Sequence, residues 1–245
     1  LKGNTTGCQN ASFGTCSVYT NSTGDANTGV GYKALFANTT ADNNTAVGSF
    51  ALLANTTGGF NTSIGSCSLN ANETGASNVA LGFRSLKLNT ASNNTAIGKD
   101  ALQANTSGTS NVAVGTASLE ANTTASNNTS VGFESLKTNT TGRHNTGLGT
   151  CALKLNTEGI QNVAVGSGSL EANTTADANT AVGYESLKAN TTGTNNVAVG
   201  AGALQLNSTG AHSVAVGCGA LTSNTTSGEN TAVGFGALAA QNTGT

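Results

Sequence analysis

Five cysteines (Cys8, Cys16, Cys67, Cys151, Cys218) and two histidines (His144, His212) are the residues of this 245-residue chain best suited to metal or nucleophile chemistry. Their spacing assembles neither. No C-x-x-C pair occurs and two histidines do not complete the ligand set of a structural zinc, so no metal site is expected. Cys8 and Cys16 are close enough in sequence to bridge. Cys67, Cys151 and Cys218 either pack as small residues or cross-link chains. G-x-G strings such as Gly217-Cys218-Gly219 lack the strand–loop–helix setting and the Lys-Ser/Thr of a phosphate loop. The calcium-binding G-G-x-G-x-D nonapeptide is also missing. Serine and threonine abound, yet no His–carboxylate pair recurs beside one, so no catalytic residue is assigned and no cofactor is expected. The chain reads as non-enzymatic.

Asparagine is the one abundant group with a modification chemistry, the Asn-X-Ser/Thr glycan acceptor. Such triplets start at Asn4, Asn21, Asn38, Asn55, Asn72, Asn105, Asn122, Asn139, Asn173, Asn190, Asn207 and Asn224. Further ones start at Asn10, Asn43, Asn61, Asn93, Asn127 and Asn128. One reading is a row of sugars along one edge of the protein. The other is a ladder of stacked Asn and Thr side chains bonding from turn to turn. The residue after the twelve asparagines is nearly always Thr, which an acceptor triplet does not require.

The spacing of those asparagines exposes the element that positions them. Taking Asn10 as position 1, repeats begin at 10, 27, 44, 61, 78, 94, 111, 128, 145, 162, 179, 196, 213 and 230, a period of 17 with one deletion in the turn at 89–93. Position 5 is always Gly, position 4 is apolar, and position 9 is Leu except at Val18. Positions 3 and 8 admit only small residues. Position 12 is Asn from Asn21 to Asn224, with Gln241 in the last repeat. Helix is a poor explanation, because a Gly in every repeat and an Asn-Thr-Thr-Gly segment in most would cost each turn its propensity. Two short strands fit better, one at positions 1–5 with 2 and 4 on one face, the other at positions 8–12 with 9 and 11 on one face. Gly at 5 and the NTTG segment supply the reversals. The expected fold is all-β, a parallel β-solenoid (β-roll) of about fourteen 17-residue coils. It runs as a single array over 1–245, with an incomplete repeat at each end. A lone coil buries roughly one Val and one Leu, about 3–6 kcal/mol, against about 1–2 kcal/mol per ordered residue, so only stacking makes it stable.

Charge and composition narrow the partners. A net charge of −2 with only 8% charged residues gives no electrostatic footprint for nucleic acid. No stretch of about 18 apolar residues is present to span a membrane. With no leading Met and a start inside a repeat, the chain reads as a mature product or an interior slice of something longer. Neither end carries a capping segment, so the end rungs would be covered by further repeats or by another subunit. Position 10 often alternates in sign between neighbouring coils, as in Lys154, Glu171 and Lys188. That pattern is either a recognition stripe or solubilising cross-rung pairing. Aromatics at position 6 (Tyr32, Phe83, Phe133, Tyr184, Phe235) recur every third coil, a trace of a 51-residue duplication or a match to a partner. The all-small position 3, with Ala46, Ala80, Ala96, Ala113, Ala164, Ala181, Ala198 and Ala215, reads either as a subunit interface or as a cramped interior.

The unit N-T/V-A-V-G-x-x-A/S-L resembles the N-S-V-A-I-G-x-x-A/S core of trimeric autotransporter adhesin head repeats, and N-T-A-V-G-x-x-A-L-x-x-N-T-T-G arrays are similar to those of bacterial surface proteins and phage tail fibres. The resemblance spans the whole chain, with a longer unit and an Asn-Thr-Thr turn of its own. It implies left-handed parallel β-rolls, three chains wide in the adhesin heads, on a cell or virion surface. The expected role is thus an extracellular structural fibre or filament subunit, with adhesion a further capacity. Its partner would be itself, head to tail or laterally, as a trimer if it follows the heads. The alternative is an adhesin or tail-fibre module that recognises a host surface or glycan. An ice-binding face is a third reading, weakened by the valines that interrupt the Thr column at position 2.

Overall fold

The computed structural model describes residues 1–240, and each repeat there contributes one three-residue strand at positions 2–4. The fourteen strands among the described residues run from β1 (Ala11–Phe13) to β14 (Thr231–Val233) and form a parallel β-solenoid without helix. Gln241 lies outside the described residues. The chain divides into two compact units, Leu1–Thr124 and Ala125–Thr245. Within each unit successive strands pair in parallel and in register. Thr180 lies beside Val197 and then Val214, and Val182 beside Val199 and then Val216.

Gly at position 5 ends every strand because the chain must turn there with φ between 129 and 141. At Gly183 an added Cβ would also lie 2.5 Å from the Gly200 carbonyl oxygen of the next coil. No other residue fits both demands.

The orientation of the strand selects the cramped-interior reading of position 3 and turns the position-4 residue, expected in the core, outward. Position 3 points inward and positions 2 and 4 point outward. Ala46, Ala80, Ala96, Ala113, Ala164, Ala181, Ala198 and Ala215 are wholly buried, so these alanines form the narrow interior and no partner chain reaches them. Leu at position 9, from Leu35 to Leu221, fills the space opposite and is equally buried. Large valines facing this leucine would not fit between the two walls. Where position 3 is Ser, position 8 is Ser as well, and the pair satisfies itself: Ser130 Oγ donates to the Ser135 carbonyl at 2.8 Å. Ser63 and Ser68 do the same in unit 1.

The expected second strand at positions 8–12 is absent. Positions 7 and 9 hold left-handed backbone, for instance Glu185 at φ 52 and Leu187 at φ 51, which breaks the alternation of a strand. Positions 8 and 9 therefore both face in. Position 11 faces out, and Leu88, Leu155 and Leu206 are exposed rather than packed against Leu at 9. Position 17 is left-handed too, at residues as unlike as Phe60, His144 and Glu229. Each such non-glycine residue costs about 1–2 kcal/mol. Burying a leucine returns about 1.5–3 kcal/mol. The two nearly cancel at position 9, so the coil is held by something further.

That further contribution is a set of inter-coil ladders. Backbone N–H groups at positions 9 and 11 donate forward to the next coil, as Leu187 does to the Ala203 carbonyl at 3.0 Å and Ala189 to Gln205 at 3.0 Å. Those at positions 5 and 7 donate backward, as Gly183 does to Val165 at 2.7 Å and Glu185 to Ser167 at 2.9 Å. The buried asparagines add two side-chain ladders. At position 12, Asn207 Nδ2 donates to Asn190 Oδ1 at 3.0 Å and to the Gly210 carbonyl at 2.9 Å. At position 1, the Asn179 amide donates to Asn162 Oδ1 at 3.0 Å, and Asn179 Nδ2 reaches the Gly193 carbonyl of the next coil at 2.8 Å. At the one-residue deletion the position-12 ladder stretches, with Asn89 Nδ2 3.5 Å from Asn72 Oδ1.

Replacement of Asn190 by Ala orphans Asn173 Oδ1 and one Asn207 N–H, and leaves the Gly193 carbonyl with Asn179 Nδ2 as its remaining side-chain donor. We expect a loss of about 3–5 kcal/mol in urea unfolding, at about 1–3 kcal/mol for each stranded group. Ala117→Gly, at a left-handed position 7 where later coils carry Gly168, Gly202, Gly219 and Gly236, is expected to gain about 0.5–1 kcal/mol. An unchanged or lowered midpoint would exclude strain at that column.

Candidate functional site

The candidate glycan acceptors lie inside. Asn21, Asn38, Asn55, Asn72, Asn105, Asn122, Asn139, Asn173, Asn190, Asn207 and Asn224 have no exposed surface. Their Nδ2 groups, the atoms that would carry the sugar, donate within the position-12 ladder, as at Asn38, Asn105 and Asn173. Asn4, half-buried in the first coil, donates Nδ2 to the Gly7 carbonyl at 2.8 Å. A glycan at this column would remove the donor and require space filled by the neighbouring coils. The threonines that follow complete the pattern: Thr157 Oγ1 donates to the Thr174 carbonyl at 3.1 Å and Thr174 to Thr191 at 3.2 Å. Asn and Thr are thus used along the stack.

All five cysteines are free, so the Cys8–Cys16 bridge is not formed. Cys8 Sγ instead lies 3.4 Å from the Thr6 carbonyl. Burial pushes the Cys151 thiol pKa up, which makes it less reactive. Among the described residues no three His, Cys, Asp or Glu gather into a possible cation site, and no helix is long and apolar enough to cross a membrane.

Three surfaces remain for function. The first is the outer strand face, where position 4 carries Val, Ile or Leu and position 2 carries Thr or Val on nearly every coil. Val199 is 37% exposed and Ile64 40%. Successive coils repeat these side chains about 4.8 Å apart, in two columns about 6.6 Å from each other along the strand.

The second surface is the ridge of positions 7 and 10. In unit 2 it is ion-paired, mainly between the two positions rather than along position 10 alone. Lys137 Nζ meets Glu134 Oε1 at 2.6 Å, and Lys154 Nζ meets Glu134 Oε2 at 2.8 Å. Lys188 Nζ meets Glu185 Oε1 at 2.6 Å, with Glu171 further off at 3.9 Å. Gln205 Nε2 also donates to Glu185, at 2.6 Å. These contacts hold the Glu134 and Glu185 carboxyls below the usual glutamate range, with the lysine hydrogen bonds the leading cause. Beside this ridge runs an open groove of about 520 Å³, lined by Leu155, Ala172, Ala189 and Leu206 and by Glu171, Lys188 and Gln205.

The third surface is the same ridge in the first coils of unit 1, where aromatic rings and lysines replace the ion pairs. Tyr19 and Phe36 stack with centroids 5.3 Å apart and planes 12° from parallel. Tyr32 meets Phe50 edge-on at 5.2 Å. Lys33 Nζ stands 5.4 Å from both the Tyr32 and the Phe36 centroids, and Lys2 Nζ stands 5.6 Å from Tyr19.

No protein family, curated protein or solved structure matches the chain. The surfaces must therefore be read from their own chemistry. The sequence columns pointed to the position-6 aromatics, which lie three coils apart, and passed over the cluster in unit 1. Its members are spread over positions 6, 7 and 10. The available signal was the run Tyr19, Lys33, Phe36, Phe50, where the same positions further along carry charge of both signs.

Glu134 gives the ridge a measurable signature. A carboxyl whose folded pKa is depressed adds stability above its unfolded value, and that stability is lost as pH falls through the folded pKa. We expect the Glu134 side-chain carbon, followed by NMR, to titrate below ordinary glutamate. Lys154→Met should move its midpoint up. A midpoint at the ordinary value in the wild-type protein would mean that the lysines are solvated instead.

Proposed function

We propose that the chain is a non-enzymatic structural module of an extracellular fibre or surface filament, assembled from copies of itself packed side by side. The observation that carries this reading is the outer strand face. Parallel sheets are covered on both faces almost without exception, and their strands read as continuous apolar runs such as Val-Ala-Val. Here the inner face is closed by the position-9 leucines, while the outer one leaves Val182, Val199 and Val216 partly in water. An apolar face this regular favours association. A second copy is its natural cover, because two identical ladders share one spacing. A three-chain arrangement and an extracellular setting are what the resemblance to adhesin heads and phage fibres implies. The aromatic cluster of unit 1 supports an adhesive capacity alongside the structural one.

The test is assembly state by light scattering, on the wild-type chain and on a Val182→Lys, Val199→Lys, Val216→Lys variant. The variant should keep its circular dichroism. Its dissociation constant should rise at least about a hundredfold, roughly 2.8 kcal/mol. A wild-type chain that stays monomeric at high concentration would remove the proposal.

A further inference from the structure

The aromatic cluster of unit 1 combines two properties that bear on ligands: its cations are left without anions, and they stand over aromatic rings. Among the described residues every ion pair involves Arg84, Lys99, Lys137, Lys154 or Lys188, and no carboxylate pairs with Lys2 or Lys33. Lys33 Nζ is held by the π-faces of Tyr32 and Phe36, which attract the charge without using its N–H donors for hydrogen bonds. Tyr32 is 43% exposed, and Phe50 braces it edge-on. The Tyr19–Phe36 stack extends the same ridge by one coil. A fixed ammonium with free donors, flanked by flat apolar rings, is thus presented to solvent.

We propose that this ridge binds an acidic oligosaccharide. A sugar ring offers an apolar face of C–H groups that packs on an aromatic ring, and a uronate adds a carboxylate for the lysine. Lysine–carboxylate hydrogen bonds are about twice as strong as neutral ones. Both halves of the ligand are therefore met by side chains a few ångströms apart. A polyphosphate chain is the weaker fit, because nucleic-acid affinity depends on many basic contacts and the whole protein carries only nine Lys and Arg. In unit 2 the equivalent ridge is neutralised internally by Glu134 and Glu185 and offers no free cation at Lys137, Lys154 or Lys188. This inference goes beyond the assembly proposal, since it uses positions 6, 7 and 10 and leaves the strand face untouched.

The full-length chain is titrated by calorimetry with an oligogalacturonate, a neutral galactose oligomer of equal length, and a single-stranded oligonucleotide. Assembly state is recorded by light scattering on the same samples, so loss of sugar binding and loss of self-association are read separately. The oligogalacturonate should bind, and its affinity should fall as salt is raised. Lys33→Gln should weaken it about five- to tenfold or more, Lys33→Arg should restore it, and Tyr32→Ala should weaken it to a similar degree. Lys33→Gln keeps a polar side chain and removes only the charge, so it carries the test even if the aromatic variant loses stability. The proposal is overturned by absence of binding, by equal binding of the neutral oligomer, by preference for the oligonucleotide, or by indifference to Lys33→Gln.

Discussion

The structure depends on the buried asparagine amide. A coil of 17 residues turns many carbonyls inward, where water does not reach, and a polar group left there without a partner costs about 1–3 kcal/mol. Asparagine resolves this because it carries an acceptor and two donors on one short side chain. In the position-12 column one N–H closes its own turn, at the carbonyl three residues on, while the other reaches the amide oxygen of the coil before. Each amide thus satisfies a local turn and a neighbouring coil together. Leucine burial supplies apolar free energy but little direction, whereas the amides fix the register.

The same ladders explain why unfavourable backbone is tolerated so widely. Left-handed φ at Leu187, Glu185 and Asn195 would be strained in isolation. Each of these residues nonetheless has its N–H bonded to an adjacent coil: Leu187 to Ala203, Glu185 to Ser167, and Asn195 to Asp177. A conformation repeated at every coil presents its donors and acceptors at the spacing its neighbours need. Strain is thereby distributed along the array and offset coil by coil, which is why stability resides in the stack and not in the repeat.

Much of this architecture was legible because the period writes each constraint many times over. Gly at 5 announced a turn forbidden to any side chain, and Leu at 9 announced the core. The facing of the strand was not legible from hydrophobicity, because Thr-Ala-Val offers an apolar residue to either side. Size was the better guide. A column restricted to Ala, Ser and Gly, such as Ala181, Ala198 and Ala215, marks the side where space is short, while the variation among Val, Ile and Leu at position 4 marks the side where it is not. Left-handed backbone at Leu187 has no sequence signature, since leucine is chosen there for its bulk. The asparagines carried two meanings that only their burial separates, although the accompanying threonines already pointed to the ladder. The lysine and aromatic cluster was hidden for the opposite reason. It exists in the first four coils only, so a method that reads columns averages it away.

That contrast bears on where function resides in such a molecule. Positions that build the coil cannot vary, because a change at one Asn or Gly strands groups in the coils on both sides. Chemistry specific to one part of the chain therefore suits positions 6, 7, 10 and 11, where side chains face outward and the ladders use the backbone alone. The ridge shows this freedom in use, with ion pairs around Glu134 and Glu185 and rings around Lys33 on the same scaffold. The strand face behaves differently. It is uniform from coil to coil, so it suits a partner with the same repeat, whereas the ridge suits a ligand that meets it at one place. A regular face for assembly and an irregular edge for recognition follow from one rule: the ladders fix what points inward and leave the outside free.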